Sequence, residues 1–236
     1  MPEWLIVLLV LAGVATVAGL LIKRNLVADA KRAAHLKSIA EKKGLSYSEA
    51  VEYTTVHNKF KSLPIFRKGT DFLVENYMHG NLNGADIAIF DYMYWHAYET
   101  HRRGGKAHRS EGNKIRQTPI CLHIANANIP AFDITIKSNH FTYTSYPNGG
   151  LVKFDKENAF TKNYIVRTAS KEDVDKVKKM ISKEVQDFLV PLKNLKVEAA
   201  GDDLLVTQTN MPIKHPALDG YIMAAVAMQT ILKGNS

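Results

Sequence analysis

The longest apolar run of the chain extends from Trp4 to Ile22, nineteen residues without a charge, and is followed directly by Lys23 and Arg24. At about 1.5 Å per residue, a helix of this length covers about 28 Å, close to the hydrocarbon thickness of a bilayer. The pattern predicts a transmembrane anchor over residues 1–24. The alternative is a cleaved signal peptide, which the run matches less well because Glu3 precedes it and its apolar core is long.

The charges around this run predict its orientation. No lysine or arginine precedes it, whereas seven lie within residues 23–43. By the positive-inside rule, everything after the run lies in the cytoplasm, so we expect a single-pass protein of the cell (inner or plasma) membrane. The single cysteine, Cys121, agrees with this compartment, because secreted domains of this size more often use paired cysteines.

Helical spacing continues after the run and predicts a basic juxtamembrane stem over residues 25–62. Apolar positions recur along 25–43 and stop at Gly44, a residue typical of helix ends. A second short helix is predicted from Ser48 to Phe60. We interpret the stem as a linker and expect a soluble domain over residues 63–236.

That domain is predicted to be α+β, with a mainly antiparallel sheet and helices packed on one face. Its centre is a hairpin within Glu75–Tyr98, where Gly80, Asn83 and Gly84 provide turn residues. Both faces of the second strand are apolar or aromatic, so this strand should be central and covered on both sides. Further strands are predicted at 119–125, 132–136, 163–167, 195–200 and 204–209.

Two longer helices are predicted in the second half of the chain. Residues 170–188 have helical apolar spacing, with Ser170 as the cap and Pro191 as the stop. Residues 217–232 contain one charge, Asp219. Their apolar part is too short to cross a bilayer, so a buried core helix is favoured over a second span.

The net charge of +8 is concentrated beside the apolar run and in residues 101–116, which hold six lysines and arginines against one glutamate. The glycines of 101–116 predict a mobile loop. Positive charge beside an anchor indicates anionic lipid headgroups, whereas no nucleic-acid motif is present, so no nucleic-acid partner is expected. The residues predicted to contact an anionic surface are Lys23, Arg24, Arg102, Arg103, Lys106 and Arg109.

Few residues carry candidate chemistry. Asp91 lies on an otherwise apolar strand face, where an unpaired carboxylate is costly, so we expect pairing with an arginine or a turn, or a polar site with His96 or His123. His96 and His101 have a metal-like spacing without a third ligand, so no metal is predicted. Cys121 is predicted to be a buried structural thiol. No cofactor is expected, because no phosphate loop or nucleophile elbow is present.

Several short sequence patterns occur in order along the chain, starting within the basic stem. They are Ala40-x-x-x-Gly44-Leu45, Gly80-x-x-x-Gly84, Phe90-Asp91-Tyr92-x-Tyr94 and Gln117-Thr118. The layout resembles an uncharacterised family of bacterial single-pass membrane proteins with a cytoplasmic α+β domain. The resemblance implies the topology and brings no activity with it.

Two classes of function remain after these exclusions. The first is a membrane-tethered cytoplasmic binding or assembly module that contacts anionic lipid. The second is a membrane-anchored hydrolase or transferase that uses Asp91 with His96 or His123. An enzyme requires these groups to converge in a concave pocket, so their placement distinguishes the two. The sequence leaves open whether the protein has a protein partner or forms a homo-oligomer.

Overall fold

A computed structural model of the chain describes residues 23–24, 26–96, 113–137, 144–192 and 194–234. The predicted anchor lies outside the described residues, apart from Lys23 and Arg24, which are helical and exposed. Within the described ranges, no helix is both long enough and apolar enough to cross a membrane.

A single sheet of ten antiparallel strands organises the described part of the chain. In spatial order, the sheet runs β1-β2-β3-β5-β10-β9-β6-β8-β7, and β4 pairs with the second half of β3. The strands are β1 (Ser46–Val51), β2 (Thr70–Leu82), β3 (Ala85–His96), β4 (Asn113–Gln117), β5 (Ile120–His123), β6 (Ile129–Ile136), β7 (Gly150–Leu151), β8 (Tyr164–Thr168), β9 (Leu195–Gly201) and β10 (Asp203–Gln208).

Helices cover both faces of this sheet. Five of them pack over one face and enclose the larger apolar core, whereas α2 and a 3-10 turn at Pro64–Arg67 cover the other face. The α+β class is confirmed, but the expectation of helices on one face alone is wrong. The helices are α1 (26–43), α2 (Tyr53–Lys59), α3 (Ala159–Asn163), α4 (Val174–Met180), α5 (Lys183–Leu189) and α6 (His215–Gly234).

The predicted central hairpin is present as β2 and β3. Its turn is Asn83-Gly84, and both residues have positive φ, 53° and 79°. An Asn-Gly turn of this kind matches the twist of the two strands, which explains why the sequence signal was clear. On β3, Ile89 lies in one core and Phe90 in the other. The prediction that both faces of this strand are covered is confirmed.

The first helix belongs to the packed domain. Its residues Leu36, Ile39 and Ala40 are buried in the larger core, and the helix ends at Gly44 with a φ of 68°. The predicted stem is therefore not a separate linker beyond residue 35, because its apolar side is covered by the sheet. The packed unit begins well before the predicted boundary at residue 63.

Three local predictions are corrected by the structure. Residues 48–51 belong to β1, which pairs with β2, so the predicted helix is confined to α2. Residues 113–116 of the predicted loop belong to β4, which pairs with β3. The predicted helix over 170–188 is interrupted at Ile181 and Ser182, where Ser182 takes an extended conformation before α5. Serine favours such helix starts because its side chain competes with helical hydrogen bonds.

Candidate binding site between the first helix and the sheet

A bidentate ion pair fastens α1 to the sheet. Arg32 donates from Nε to Asp91 Oδ2 over 2.7 Å and from Nη2 to Asp91 Oδ1 over 2.6 Å. It also donates to Thr118 Oγ1 at 2.8 Å and to the carbonyl of Ile213 at 3.1 Å. Arg32 thereby joins α1 to β3, to the turn after β4 and to the segment before α6. The predicted pairing of Asp91 with an arginine is confirmed.

Both oxygens of the Asp91 carboxylate are satisfied by hydrogen bonds. Thr118 Oγ1 donates to Oδ1 at 2.9 Å and Asn76 Nδ2 donates to Oδ2 at 3.0 Å, so each oxygen accepts two hydrogen bonds. The side chain is 1% exposed. Burial alone would raise the pKa of Asp91, but Arg32, Thr118 and Asn76 outweigh it and hold the pKa below the ordinary value. Such a carboxylate is suited to holding structure and poorly suited to accepting a proton from a substrate.

Next to this ion pair, α1 and the β1–β2 end of the sheet enclose a groove of about 520 Å³. Room for it comes from three alanines of α1, Ala30, Ala33 and Ala34, which project little from the helix. Its polar lining includes Arg116, which donates to Asp29 Oδ1 at 3.0 Å, and Tyr47, which donates to the side chain of Asn76 at 2.7 Å. The groove thus combines an apolar wall with groups that bind polar ligand atoms.

His123 lies on the opposite face of the sheet from Asp91. Its Nδ1 is 2.9 Å from Asp203 Oδ1, and the hydroxyl of Ser62 donates to the other oxygen of Asp203. In a catalytic triad the histidine stands between the serine and the acid, whereas here the acid stands between them. Asp91 and His123 therefore do not converge in one pocket, and the Ser62–Asp203–His123 contact lacks triad geometry.

The other predicted site residues lie at one end of the sheet or outside the described ranges. His96 ends β3 opposite Asn113 of β4, and its side chain is outside the described part. Arg102, Arg103, Lys106 and Arg109 also fall outside it, whereas Lys23 and Arg24 are exposed on the helix that leads into α1.

A second buried group of charges was missed by the sequence analysis. Lys196 Nζ lies 2.8 Å from Glu198 Oε1 on β9, and their side chains are 9% and 0% exposed. Glu198 also accepts from the backbone N–H of Ile65 at 3.0 Å and from the hydroxyl of Ser145. Lys196 and Glu198 are two residues apart and therefore lie on one face of the strand. This spacing could have indicated the pair, but it is also typical of a strand face exposed to solvent.

Asp133 on β6 completes this group. Thr144 Oγ1 donates to its Oδ2 at 2.9 Å, and the N–H of Ser145 donates to the same carboxylate. Burial raises the pKa of Asp133 to about 6, although these hydrogen bonds and the charge of Lys196 oppose the shift. Burial likewise favours the neutral form of Glu198, but Lys196 reverses the effect and lowers the pKa of Glu198.

Within the described ranges, no group of three or more histidine, cysteine, aspartate and glutamate side chains is placed to hold a metal ion. Cys121 is buried and unpaired, in agreement with the predicted structural thiol. Burial raises the pKa of this thiol well above the ordinary value, so Cys121 is held in its unreactive, protonated form.

Comparison with known proteins identifies a fold and no family. No protein-family model matches the chain, and no curated protein matches it. The chain is similar to the crystal structure of the mycobacterial trehalose monomycolate transport factor A, TtfA, with a TM-score of 0.61 and 14% sequence identity. The superposition covers 85% of this chain and 94% of TtfA. At this identity, the similarity shows that the two chains share a fold.

Proposed function

We propose that the protein is a membrane-tethered cytoplasmic module that binds or assembles components of a lipid transport system and performs no chemical step itself. The observation that carries this proposal is the attachment of α1 to the sheet by Arg32 and Asp91. Because α1 follows closely on the apolar run of residues 4–22, this attachment fixes the sheet relative to the anchor.

Two considerations support the association with lipid. The apolar run has the length of a bilayer span and is followed by basic residues on its cytoplasmic side. The chain also shares its fold, over most of its length, with a protein named as a transport factor for trehalose monomycolate, a lipid. We extend only the general role in lipid transport to this chain, because the fold does not carry ligand identity.

The basic residues contribute a second point of contact with the membrane in this proposal. Lys23 and Arg24 are exposed just before α1. Residues 97–112 connect the end of β3, at His96, to the start of β4, at Asn113. His96 and Asn113 are paired in the sheet. We propose that Arg102, Arg103, Lys106 and Arg109, which belong to this connection in sequence, contact the anionic leaflet, where each positive charge contributes about 1 kcal/mol within a Debye length.

Among the described residues, the predicted catalytic groups Asp91 and His123 do not converge, which favours binding over chemistry. Asp91 is saturated by hydrogen bonds and lies on the opposite face from His123, so neither is placed to act on a substrate with the other. The groove beside α1 provides a surface for a partner or ligand, and neither Asp91 nor His123 lines it.

Lipid export from cells tests the proposed function. In cells lacking the protein, a short pulse of labelled acetate should leave newly made lipid at the inner membrane, and the full chain should restore its export. The matched control is the same chain without residues 4–22, which should not restore export. Unchanged export of all lipid classes in the deleted cells, or equal restoration by both chains, would contradict the proposal.

A further inference from the structure

The end of the sheet beyond the Arg32–Asp91 pair carries exposed apolar side chains. Leu73 on β2 and Trp95 on β3 are 41% and 42% exposed. Leu73 pairs with Met93 across the two strands, and Met93 alternates in step with Trp95 along β3. These side chains therefore share one face of the sheet, the face on which α1 packs at Asp91.

Two contacts show that the amino end of α1 points toward this patch. Arg32 contacts Asp91, and Asp29, nearly one turn earlier, contacts Arg116. Arg116 lies opposite Met93 in the β3–β4 register. Leu45, just after the carboxyl end of α1, lies beside Gly80, which pairs with Ile87 of β3. Moving toward the amino end of α1 therefore corresponds to moving along β3 from Ile87 to Asp91, in the direction of Trp95.

The apolar stripe of α1 continues beyond the sheet. Leu36 and Ala40 of this stripe are buried. Leu26 follows the same spacing, three residues before Asp29, but it is 65% exposed. Leu26 lies four residues after the apolar run of 4–22, or about 6 Å along a helix. The unpartnered part of the stripe is thus the part nearest the proposed anchor.

We propose that Trp95, Leu73 and Leu26 form a docking surface for the lipid bilayer itself, at the boundary between headgroups and acyl chains. This inference rests on the proposed membrane tether and deepens it by naming the surface that faces the lipid. Tryptophan favours this boundary because its ring is apolar and its N–H is polar. Leu73 and Leu26 add apolar area beside it.

The surrounding charges fit the same partner. Lys114 is exposed and lies opposite Trp95 in the β3–β4 register. Lys23 and Arg24, three and two residues before Leu26, are also exposed. Lysine and arginine beside an apolar patch place their stems along the acyl boundary and their charges among anionic headgroups. A bilayer with anionic lipid provides both kinds of contact at once.

Tryptophan fluorescence of the full chain in lipid nanodiscs tests this surface. The chain has two tryptophans, so a Trp4→Phe variant leaves Trp95 as the sole reporter. In nanodiscs of phosphatidylcholine and phosphatidylglycerol, acyl chains brominated near the headgroup should reduce Trp95 emission relative to unbrominated lipid. The emission maximum should also lie at shorter wavelength than in the denatured chain.

A matched control uses a position that points away from the membrane. Met223 on α6 is 70% exposed. The segment before α6 meets Arg32, and Asp219 of α6 meets Lys43, so α6 runs away from the amino end of α1. The variant Trp4→Phe, Trp95→Phe, Met223→Trp should show no quenching by brominated lipid.

The outcomes separate the docking surface from the tether. A chain that copurifies with nanodiscs but shows unquenched Trp95 emission overturns the docking surface and leaves the tether standing. Short-wavelength emission without quenching by brominated lipid also overturns it, because Trp95 is then shielded by protein and not by lipid. Failure of the full chain to enter nanodiscs overturns both proposals. Quenching of Trp95 alone, with the Met223→Trp control unchanged, supports docking.

Discussion

Two buried ion pairs lie on opposite faces of the same sheet, and they differ in what they connect. Arg32 and Asp91 come from different elements 59 residues apart, and the Arg32 side chain is 19% exposed. Lys196 and Glu198 come from the same strand, and the Glu198 side chain is fully buried. The first pair joins a helix to the sheet, whereas the second pair lies beneath the segments that cover the sheet.

This difference in solvent access predicts which pair destabilises the protein more when one of its charges is removed. Arg32 retains contact with water near the groove, so losing the charge of Asp91 leaves a cation that solvent partly stabilises. Lys196 has less access, with its side chain 9% exposed. Burial opposes its charged form, but Glu198 outweighs burial and raises the pKa of Lys196. Breaking a buried pair costs more than an exposed one, because the remaining charge is left without compensation.

The largest effect is therefore expected for Glu198→Gln. The change leaves Lys196 charged and buried, and it should lower the free energy of unfolding by about 3–5 kcal/mol. The measurement is denaturant unfolding of the detergent-solubilised full chain, with unfolding monitored by protease resistance. As a control, Lys196→Met combined with Glu198→Gln removes both charges and should recover part of the loss. A cost below about 1 kcal/mol would show that the pair is hydrated.

A pH dependence of stability is expected from Asp133, which adjoins the Lys196–Glu198 pair and therefore distinguishes it further from the Arg32–Asp91 pair. Its pKa of about 6 in the folded chain exceeds its ordinary value of 3.8. The folded state then binds the proton more tightly, so this group's contribution to stability is present below pH 4 and is lost as pH rises toward 6. The loss amounts to about 3 kcal/mol.

The check on Asp133 is the difference between the wild-type chain and Asp133→Asn. At pH 4 the two chains should have similar free energies of unfolding. By pH 7 the variant should be more stable relative to the wild type than it is at pH 4. Taking the difference removes the opposite pH dependence of other carboxylates, whose folded pKa values are lowered. Parallel stability curves from pH 4 to pH 7 would contradict the raised pKa of Asp133.

A smaller effect is expected for Asp91→Asn, the matched substitution in the first pair. Asparagine retains an acceptor for Arg32 and leaves that cation partly hydrated, so the cost should be about 1–3 kcal/mol. A group held in place for catalysis often sits in unfavourable surroundings, and its removal then stabilises the protein. A more stable Asp91→Asn chain in thermal melts would therefore revive the enzymatic alternative.

The smallest effect is expected for Arg116→Ala. Its ion pair with Asp29 is half open to solvent, with side chains 30% and 58% exposed, so its loss should cost less than about 1 kcal/mol. Lys183→Ala, which removes an exposed pair on α5, serves as the reference for a surface contact. Arg116 Nη2 also lies 3.6 Å from Asp91 Oδ2. A loss for Arg116→Ala as large as that for Asp91→Asn would show that this longer contact matters as much as the Arg32 pair.

The parts of the fold that were predicted well are those specified by neighbouring residues. The β2–β3 hairpin follows from Asn83-Gly84 between two apolar strands, and α6 follows from continuous helical spacing ended near Gly234. The burial of Asp91 among apolar neighbours on β3 made a partner necessary. The identity of that partner was not predictable, because Arg32 is brought to Asp91 only by the packing of α1.

The parts that were predicted poorly depend on distant pairing. Residues Ser46 to Val51 have an apolar spacing that also suits a helix, and only the neighbouring β2 makes them a strand. Lys196 and Glu198 resemble a solvated strand face until α2 and the Pro64–Arg67 turn are known to cover it. Both errors arose because the environment of these residues is decided by the segments that pair with them or cover them, which local spacing does not specify.

The central claim is that the domain is held on the cytoplasmic side of the membrane by the segment before α1. Reporters fused after residue 236 test this claim most directly. We expect a fused green fluorescent protein to be bright and to sediment with membranes after carbonate extraction, and a fused alkaline phosphatase to be inactive. An active phosphatase, or fluorescence that remains in the supernatant of the full chain, would contradict the account.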